Sequence, residues 1–191
     1  MCREFGSPYL LTHLYNKAWP LNVGLYYFYS DKKNIQMLQK LKDDFIISTE
    51  KNKIDIAVVH NYLSNESYWA KNISLDIVTK SIEGAFCFGV YKKEIADTFK
   101  QVGFARVITD NATFGYLADV FILEEYRGIG LSKWLMYEIM NHPELQGFRR
   151  WMLATKDAHG LYEQFGFKLL ENTGRLMGMS LLDAYPEIAI D

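Results

Sequence analysis

Two cysteines, Cys2 and Cys87, are the only thiols in 191 residues. That is too few for a disulfide scaffold, and Cys87 lies in an apolar pattern where it reads as a small buried hydrophobe. No apolar run approaches the ~18 residues of a membrane span. The N-terminus has no basic segment followed by a clean apolar one, so no secretion signal is expected. A cytoplasmic location follows as the expectation. Charge of either sign is also lacking in excess: 21 Lys and Arg face 23 Asp and Glu, for a net charge of −2. Without a basic field, neither nucleic acid nor an anionic membrane is an expected partner. The pair Arg149-Arg150 reads as a solvated strand end. No His, Cys, Asp and Glu group has metal-ligand spacing, so no metal is expected. Internal repeats and low-complexity tracts are absent too. What remains is an apolar fraction of 49% with 15% aromatics, enough for a substantial core. At this length one domain is the natural expectation.

The most informative stretch is Glu124-Glu-Tyr-Arg-Gly-Ile-Gly-Leu-Ser-Lys133. It joins an apolar strand, Tyr116 to Leu123, to an amphipathic helix carrying Trp134, Leu135, Met136, Ile139 and Met140. A helix start presents unpaired backbone N–H groups and roughly half a positive charge, both of which favour a phosphate. Gly128 and Gly130 have no side chain to block its approach. After Gly130 the order is Leu131-Ser132-Lys133, which misplaces the Lys and hydroxyl of a nucleotide-hydrolase loop. Position 133, where a dinucleotide fold needs its third Gly, is Lys.

What is present is Arg127-x-x-Gly130-x-Ser132, and further on Ala158-x-x-Leu161-Tyr162-x-x-x-Gly166-Phe167. Together these resemble the two recurring motifs of the GNAT superfamily, the acyl-CoA-dependent N-acetyltransferases, in the family's order. Ser132 stands where the family has Gly or Ala, and Thr155 where it often has an Asn contacting the pantetheine arm. The resemblance covers roughly residues 46–182. It implies an α/β (α+β) fold, a mixed and mostly antiparallel central sheet flanked by helices. It implies acetyl-CoA as cosubstrate, with Arg127, Gly128, Ile129, Gly130, Leu131, Ser132 and Lys133 around the diphosphate. Val120, Phe121, Ile122 and Thr155 would line the pantetheine. Tyr162 would be the acid that protonates the leaving thiolate.

The base is less plain. Asp119 is a carboxylate in an otherwise apolar strand, where an unpaired charge is costly. It needs a partner, structural or catalytic, and it joins Tyr162 as the second candidate catalytic residue. Strand alternation sets 117, 119 and 121 against 116, 118 and 120. The second set begins with Tyr116, where some family members carry Glu or His. Tyr68 and Trp69 could wall an acceptor pocket and meet a cationic amine by the ring face. With Tyr116 they form the candidate substrate set. His159 reads as a surface residue, and Glu124 and Glu125 as solvated. His13, His60 and His142 have no assigned role.

Residues 1–45 are read as an N-terminal extension and 46–191 as the acetyltransferase domain. Asn34 to Phe45 has helical spacing. The extension could pack on the domain, join a second subunit as a homodimer, stay loosely ordered, or lie upstream of the true start. Phe45–Thr49 and Ile54–Val59 read as short strands, or as a strand and a helix start. Helices are expected at 63–71, 75–82, 130–141 and 158–165, the last capped by Asp157 and ended by Gly166. Strands are expected at 85–92, 101–109, 114–123, 149–155, 167–171 and 175–182. The resulting reading is direct acetyl transfer to a small-molecule or peptide amine. The alternative is an acyl-CoA-binding sensor or partner-binding module with little turnover.

Overall fold

The structure, a computed structural model, describes residues 39–41, 44–95, 98–171, 173–179 and 185. Among the described residues six strands form one sheet in sequence order: β1 (Gln39–Leu41), β2 (Phe45–Ser48), β3 (Phe86–Lys93), β4 (Phe99–Thr109), β5 (Phe114–Ile122) and β6 (Arg150–Met152). Neighbours are antiparallel except β5 and β6, which run parallel. Helix α3 (Leu131–Asn141) lies in the connection between those two, as a parallel pair requires. The mixed, mostly antiparallel sheet with flanking helices is therefore the fold the sequence pointed to.

Both faces of the sheet are covered. Phe88, Val90, Val107, Leu117 and Ile122 pack with Leu131, Leu135 and Ile139 of α3. On the opposite face Cys87, Phe104 and Phe121 pack with α1 (Ile56–Asn61), the turn after it, and α2 (Leu75–Glu83) through Val59, Leu63, Val78 and Ile82. Cys87 is a buried member of that core, and burial pushes its thiol up to about 11.

Local chemistry sets the ends of these elements. The Asp55 side chain accepts from the Val58 amide at 3.1 Å and starts α1. Ser74 does the same for α2, accepting from Ile77. Of the helix expected at 63–71 only the start, through Glu66, is helical. The chain leaves α1 through a wide turn at Tyr62–Glu66 and then bends. The Ser67 hydroxyl donates to the Leu63 carbonyl at 2.6 Å and accepts from the Ala70 amide at 3.2 Å, replacing helical bonds with local ones.

Other expectations also shift. The helical spacing over 34–45 yields instead to strands at 39–41 and from Phe45, because β1 pairs with β2 and Phe45 and Ile47 face the core. Residues 34–38, 42 and 43 lie outside the described ones. Thus a strand from the presumed extension joins the sheet edge. β6 spans only Arg150–Met152, shorter than the expected 149–155. Residues 167–171 and 176–179 have no strand, and 180–182 lie outside the described residues. Helix α4 covers His159–Tyr162 and tightens to a 3-10 turn at Glu163–Phe165. Gly166 ends it at φ 85. Asp157 does not cap it. The Ala158 amide donates to Thr155 Oγ1 at 3.1 Å instead.

Two buried ionisable groups flank the end of α3. Glu138 is pushed up to about 7 from 4.5 by burial, against the pull of the Trp134 indole N–H that it accepts at 3.0 Å. His142, packed edge-on against Phe86 and Phe88, is pushed down to about 4 from 6.5 by burial. As pH falls from 6.5 to 4.5, the unfolded chain gains the His142 proton first, which removes stability. Over the same window the folded chain gains the Glu138 proton first, which adds stability. The two contributions oppose. Glu138→Gln therefore makes stability fall more steeply than in wild type as pH drops through that window. Urea unfolding at stepped pH checks this, and parallel curves for the two proteins would contradict it.

Candidate functional site

β5 ends at Ile122, a short turn follows at Glu124–Tyr126, and α3 begins at Leu131. Between them Gly128 and Gly130 have φ of 80 and 90. Other residues are strained there, which explains both glycines. A Cβ at either position would meet no atom of the described residues within 4 Å, so none of them crowds the loop. The Arg127 amide is already used, donating to Glu124 O at 3.1 Å. The amides of Gly128, Ile129, Gly130, Leu131 and Ser132 find no acceptor among the described residues. Those of Gly130, Leu131 and Ser132 are orphan donors of the helix start, and Gly128 and Ile129 precede them beside the positive end of its dipole.

The Arg127 side chain stays exposed but folds back onto the end of β5. Its Nε donates to the Ile122 carbonyl at 2.9 Å, and a terminal nitrogen donates to the Tyr62 hydroxyl at 3.0 Å. Tyr62 in turn stacks on Phe121 with ring centroids 3.9 Å apart. Burial raises the Tyr62 hydroxyl above its ordinary range despite the opposing charge of Arg127. Arg127 thus ties the loop to the end of β5 and to the turn after α1. Tyr62 was not singled out in the sequence, since nothing local marks a Tyr as the partner of a residue 65 positions away.

The alternation expected along β5 breaks at Asp119. Its φ is 53, and the pairing with β4 shifts register between Phe104 and Arg106. Asp119 and Val120 together stand opposite the single residue Ala105, a β-bulge. Leu117 faces α3, but beyond the bulge Phe121 faces α1 and α2 while Ile122 returns to the α3 side. Pairing of β5 with β6 ends at Tyr116 opposite Met152. From Leu117 to Ile122 the outer edge of β5 has no partner strand among the described residues, and the bulge lies on this free stretch. Both Asp119 oxygens accept hydrogen bonds: Oδ2 from Arg106 Nε at 2.5 Å and Oδ1 from Trp69 Nε1 at 3.0 Å. Arg106 was also missed, although a charge facing an apolar strand that carries one carboxylate was a readable signal.

The second motif comes to the same place. The Lys156 amide donates to the Tyr68 hydroxyl at 2.8 Å, and Tyr68 meets Trp69 edge-on at 5.0 Å. Trp69 is 41% exposed, so it walls a surface rather than plugging the core. Tyr116 is half-buried on β5, opposite Ile108 and Met152. Tyr162 is buried in the α3-side core, and its hydroxyl has no hydrogen-bond partner among the described residues. Burial, then the nearby Tyr68 and Asp157, pushes it up to about 12, so it holds its proton at neutral pH. Thr155 is engaged by Ala158, as noted above. His60 accepts from or donates to nothing near this cluster, its Nε2 lying 3.0 Å from the Ile73 carbonyl. His159, Glu124 and Glu125 are exposed.

A family profile for the acetyltransferase (GNAT) domain matches residues 85–169. A Gibberella zeae protein named as a candidate acetyltransferase is 31% identical over 158 residues, 73% of this chain and 88% of that protein. The chain belongs to the GNAT acetyltransferase family. A Xanthomonas campestris pv. campestris crystal structure, described as a candidate acetyltransferase of the same family, is 46% identical. The match covers 72% of this chain and 93% of that one, with a TM-score of 0.66. A Clostridium acetobutylicum acetyltransferase crystallised with acetyl-CoA shares the fold at 12% identity and a TM-score of 0.54, over 72% of this chain and 96% of that one. This GNAT protein is thus an acyltransferase by family. Among the described residues no helix is long and apolar enough to cross a membrane, and no His, Cys, Asp and Glu group could hold a metal.

The Arg127 anchor has a measurable consequence. Tyr62→Phe leaves one guanidinium nitrogen without its partner and lowers stability by about 1.5 kcal/mol, the usual range for a bond to a charged group. Urea unfolding measures it. A loss within experimental error would show that Arg127 is held by Ile122 alone.

Proposed function

We propose that the protein moves the acetyl group of acetyl-CoA directly to a primary amine of a small molecule or peptide. The observation carrying this reading is the outward run of unpaired amides from Gly128 to Ser132 at the start of α3, beside glycines with open space around them. Those donors suit a diphosphate, with Lys133 next in line. Past the cradle, the unpartnered edge of β5 at Val120, Phe121 and Ile122 offers main-chain groups to the pantetheine arm, with Thr155 beside it. The side chains of Phe121 and Ile122 remain in the two cores, so only the backbone is asked to bind.

The amine must be neutral to attack, and an alkyl ammonium has a pKa near ~10.4. Its nitrogen bonds to the thioester carbonyl carbon, the carbon–sulfur bond breaks, and the nitrogen's surplus proton passes to solvent. The thiolate takes a proton from Tyr162, whose hydroxyl is protonated at neutral pH and unclaimed by the described residues, and solvent then returns a proton to Tyr162. No covalent enzyme intermediate is needed. Tyr68, Trp69 and Tyr116 form the acceptor wall, and their ring faces suit a cationic amine. The reading extends to a cytoplasmic protein whose residues 46–191 form the acetyltransferase domain. Residues 1–45 are then an extension contributing the edge strand β1 and serving as the place where a homodimer would form.

Calorimetry with acetyl-CoA tests the cradle. Gly130→Asp, compared with Gly130→Asn at the same left-handed position, isolates the added charge. The Asp variant is expected to bind acetyl-CoA about tenfold more weakly than the Asn variant or worse. Equal affinity would make the loop a mere connector. For Tyr162→Phe, turnover followed as free CoA thiol over a panel of amines should fall about a hundredfold, with donor affinity little changed. Equal turnover at saturation would reassign Tyr162 to packing. Tight acetyl-CoA binding by wild type with no amine-dependent thiol release across the panel would favour the sensor reading.

A further inference from the structure

Asp119 is the one carboxylate in β5, and three separate segments converge on it. Arg106 reaches it from β4, Trp69 reaches it from the loop after α1, and its own backbone makes the bulge. The ion pair is well covered, with Arg106 and Asp119 side chains 18% and 8% exposed. The backbone at 119 sits at φ 53, a conformation Asp and Asn tolerate better than other non-glycine residues but which still costs free energy. Something must hold it there, and the two side-chain bonds are the evident means. A base needs an oxygen directed at the amine. Here each oxygen already accepts one donor from the protein, which holds the carboxylate turned toward Arg106 and Trp69.

We propose that Asp119 is a positioning residue, clamped between Arg106 and Trp69, that fixes the left-handed bulge of β5 and so the shape of the open strand edge that receives the acetyl donor. The inference rests on the acetyl-CoA reading above. It gives the clamp a consequence that neither a base nor a packing residue has. Because the same carboxylate seats the Trp69 indole, the acceptor wall and the donor edge are tied through one group. A change to Trp69 is therefore felt by the donor. A base would leave donor affinity untouched, and a residue that only adds stability would not alter the affinity of the folded fraction.

The test compares wild type with three variants by acetyl-CoA calorimetry, at a temperature where circular dichroism shows each folded. R106Q/D119N keeps a hydrogen-bonding pair, an acceptor for Trp69 and a residue that tolerates the left-handed conformation. R106Q/D119G keeps only the backbone freedom. Trp69→Phe removes one arm of the clamp at an exposed position and leaves the ion pair intact. The neutral pair is expected to bind within about threefold of wild type, whereas the glycine version binds about tenfold more weakly or worse, as loss of preorganisation requires. Backbone amide exchange at 118–120 should be faster in the glycine version than in the neutral pair. Trp69→Phe should weaken acetyl-CoA binding by about threefold. If R106Q/D119G binds acetyl-CoA as tightly as R106Q/D119N, or if Trp69→Phe leaves the affinity unchanged, the clamp positions nothing and the inference falls alone. If wild type itself fails to bind acetyl-CoA, the donor reading fails and takes the inference with it.

Discussion

Unsatisfied backbone amides at the start of α3 are the constraint from which the rest of the site takes its meaning. A helix cannot pair its own first N–H groups, and they must be answered by a side chain, by water or by a ligand. Here the N-cap is Gly130 in a left-handed conformation, which has no side chain to answer them. Ser132 follows the cap rather than preceding the helix, so it is not placed as an N-cap either. Among the described residues nothing pairs the amides of Leu131 and Ser132, and the neighbouring glycines add no side chain over them. The helix is held from behind instead. Leu131, Leu135 and Ile139 are buried on the sheet, and Arg127 pins the loop to Ile122 and Tyr62. A rigid helix with a bare start is suited to a ligand that brings acceptors of its own.

The second half of the site follows from how β5 leaves the sheet. Parallel pairing with β6 lasts only from Phe114 to Tyr116. The bulge at Asp119 lies just beyond that point, and a bulge increases local twist. The same bulge reverses the facing of the residues after it. Phe121 can then stack on Tyr62, and Tyr62 can reach Arg127, while Ile122 stays under α3. Strand edge, loop anchor and both cores are consequently linked through a few residues. The loop carrying Tyr68 and Trp69 closes the circle by bonding to Lys156 and Asp119.

Much of this was legible in the sequence, and what was not has identifiable causes. The apolar strand, the glycine turn and the helix at 131–141 follow each other in one continuous segment, so local rules sufficed. The antiparallel run β3–β4–β5 was readable because short connections join strands of ordinary length. The bulge was not, since Asp119 is neither Gly nor Pro and the period-2 pattern carries no mark of an inserted residue. The Trp69–Asp119 bond spans 50 positions, beyond any local rule. At residues 39–41 and 45 strands stand where helical spacing was read, because a short stretch fits periods of 3.6 and 2 about equally, and only the edge of β3, to which Phe45 and Ile47 pair, decides between them. Ser67 ended the helix expected at 63–71 through two side-chain bonds that helical periodicity does not report. Family membership came from the motifs. The bonds of Arg127 to Ile122 and Tyr62 did not, because a motif names a residue without saying which way it points.

The central claim is that main-chain amides at the start of α3 hold the diphosphate of coenzyme A. Titration of the ¹⁵N-labelled protein, following the Gly128, Ile129, Gly130, Leu131 and Ser132 amide resonances, tests it most directly. Coenzyme A should move these resonances saturably, whereas pantetheine, which has the arm but no diphosphate, should leave them in place. Binding of coenzyme A without perturbing them, or equal perturbation by pantetheine, would contradict the claim.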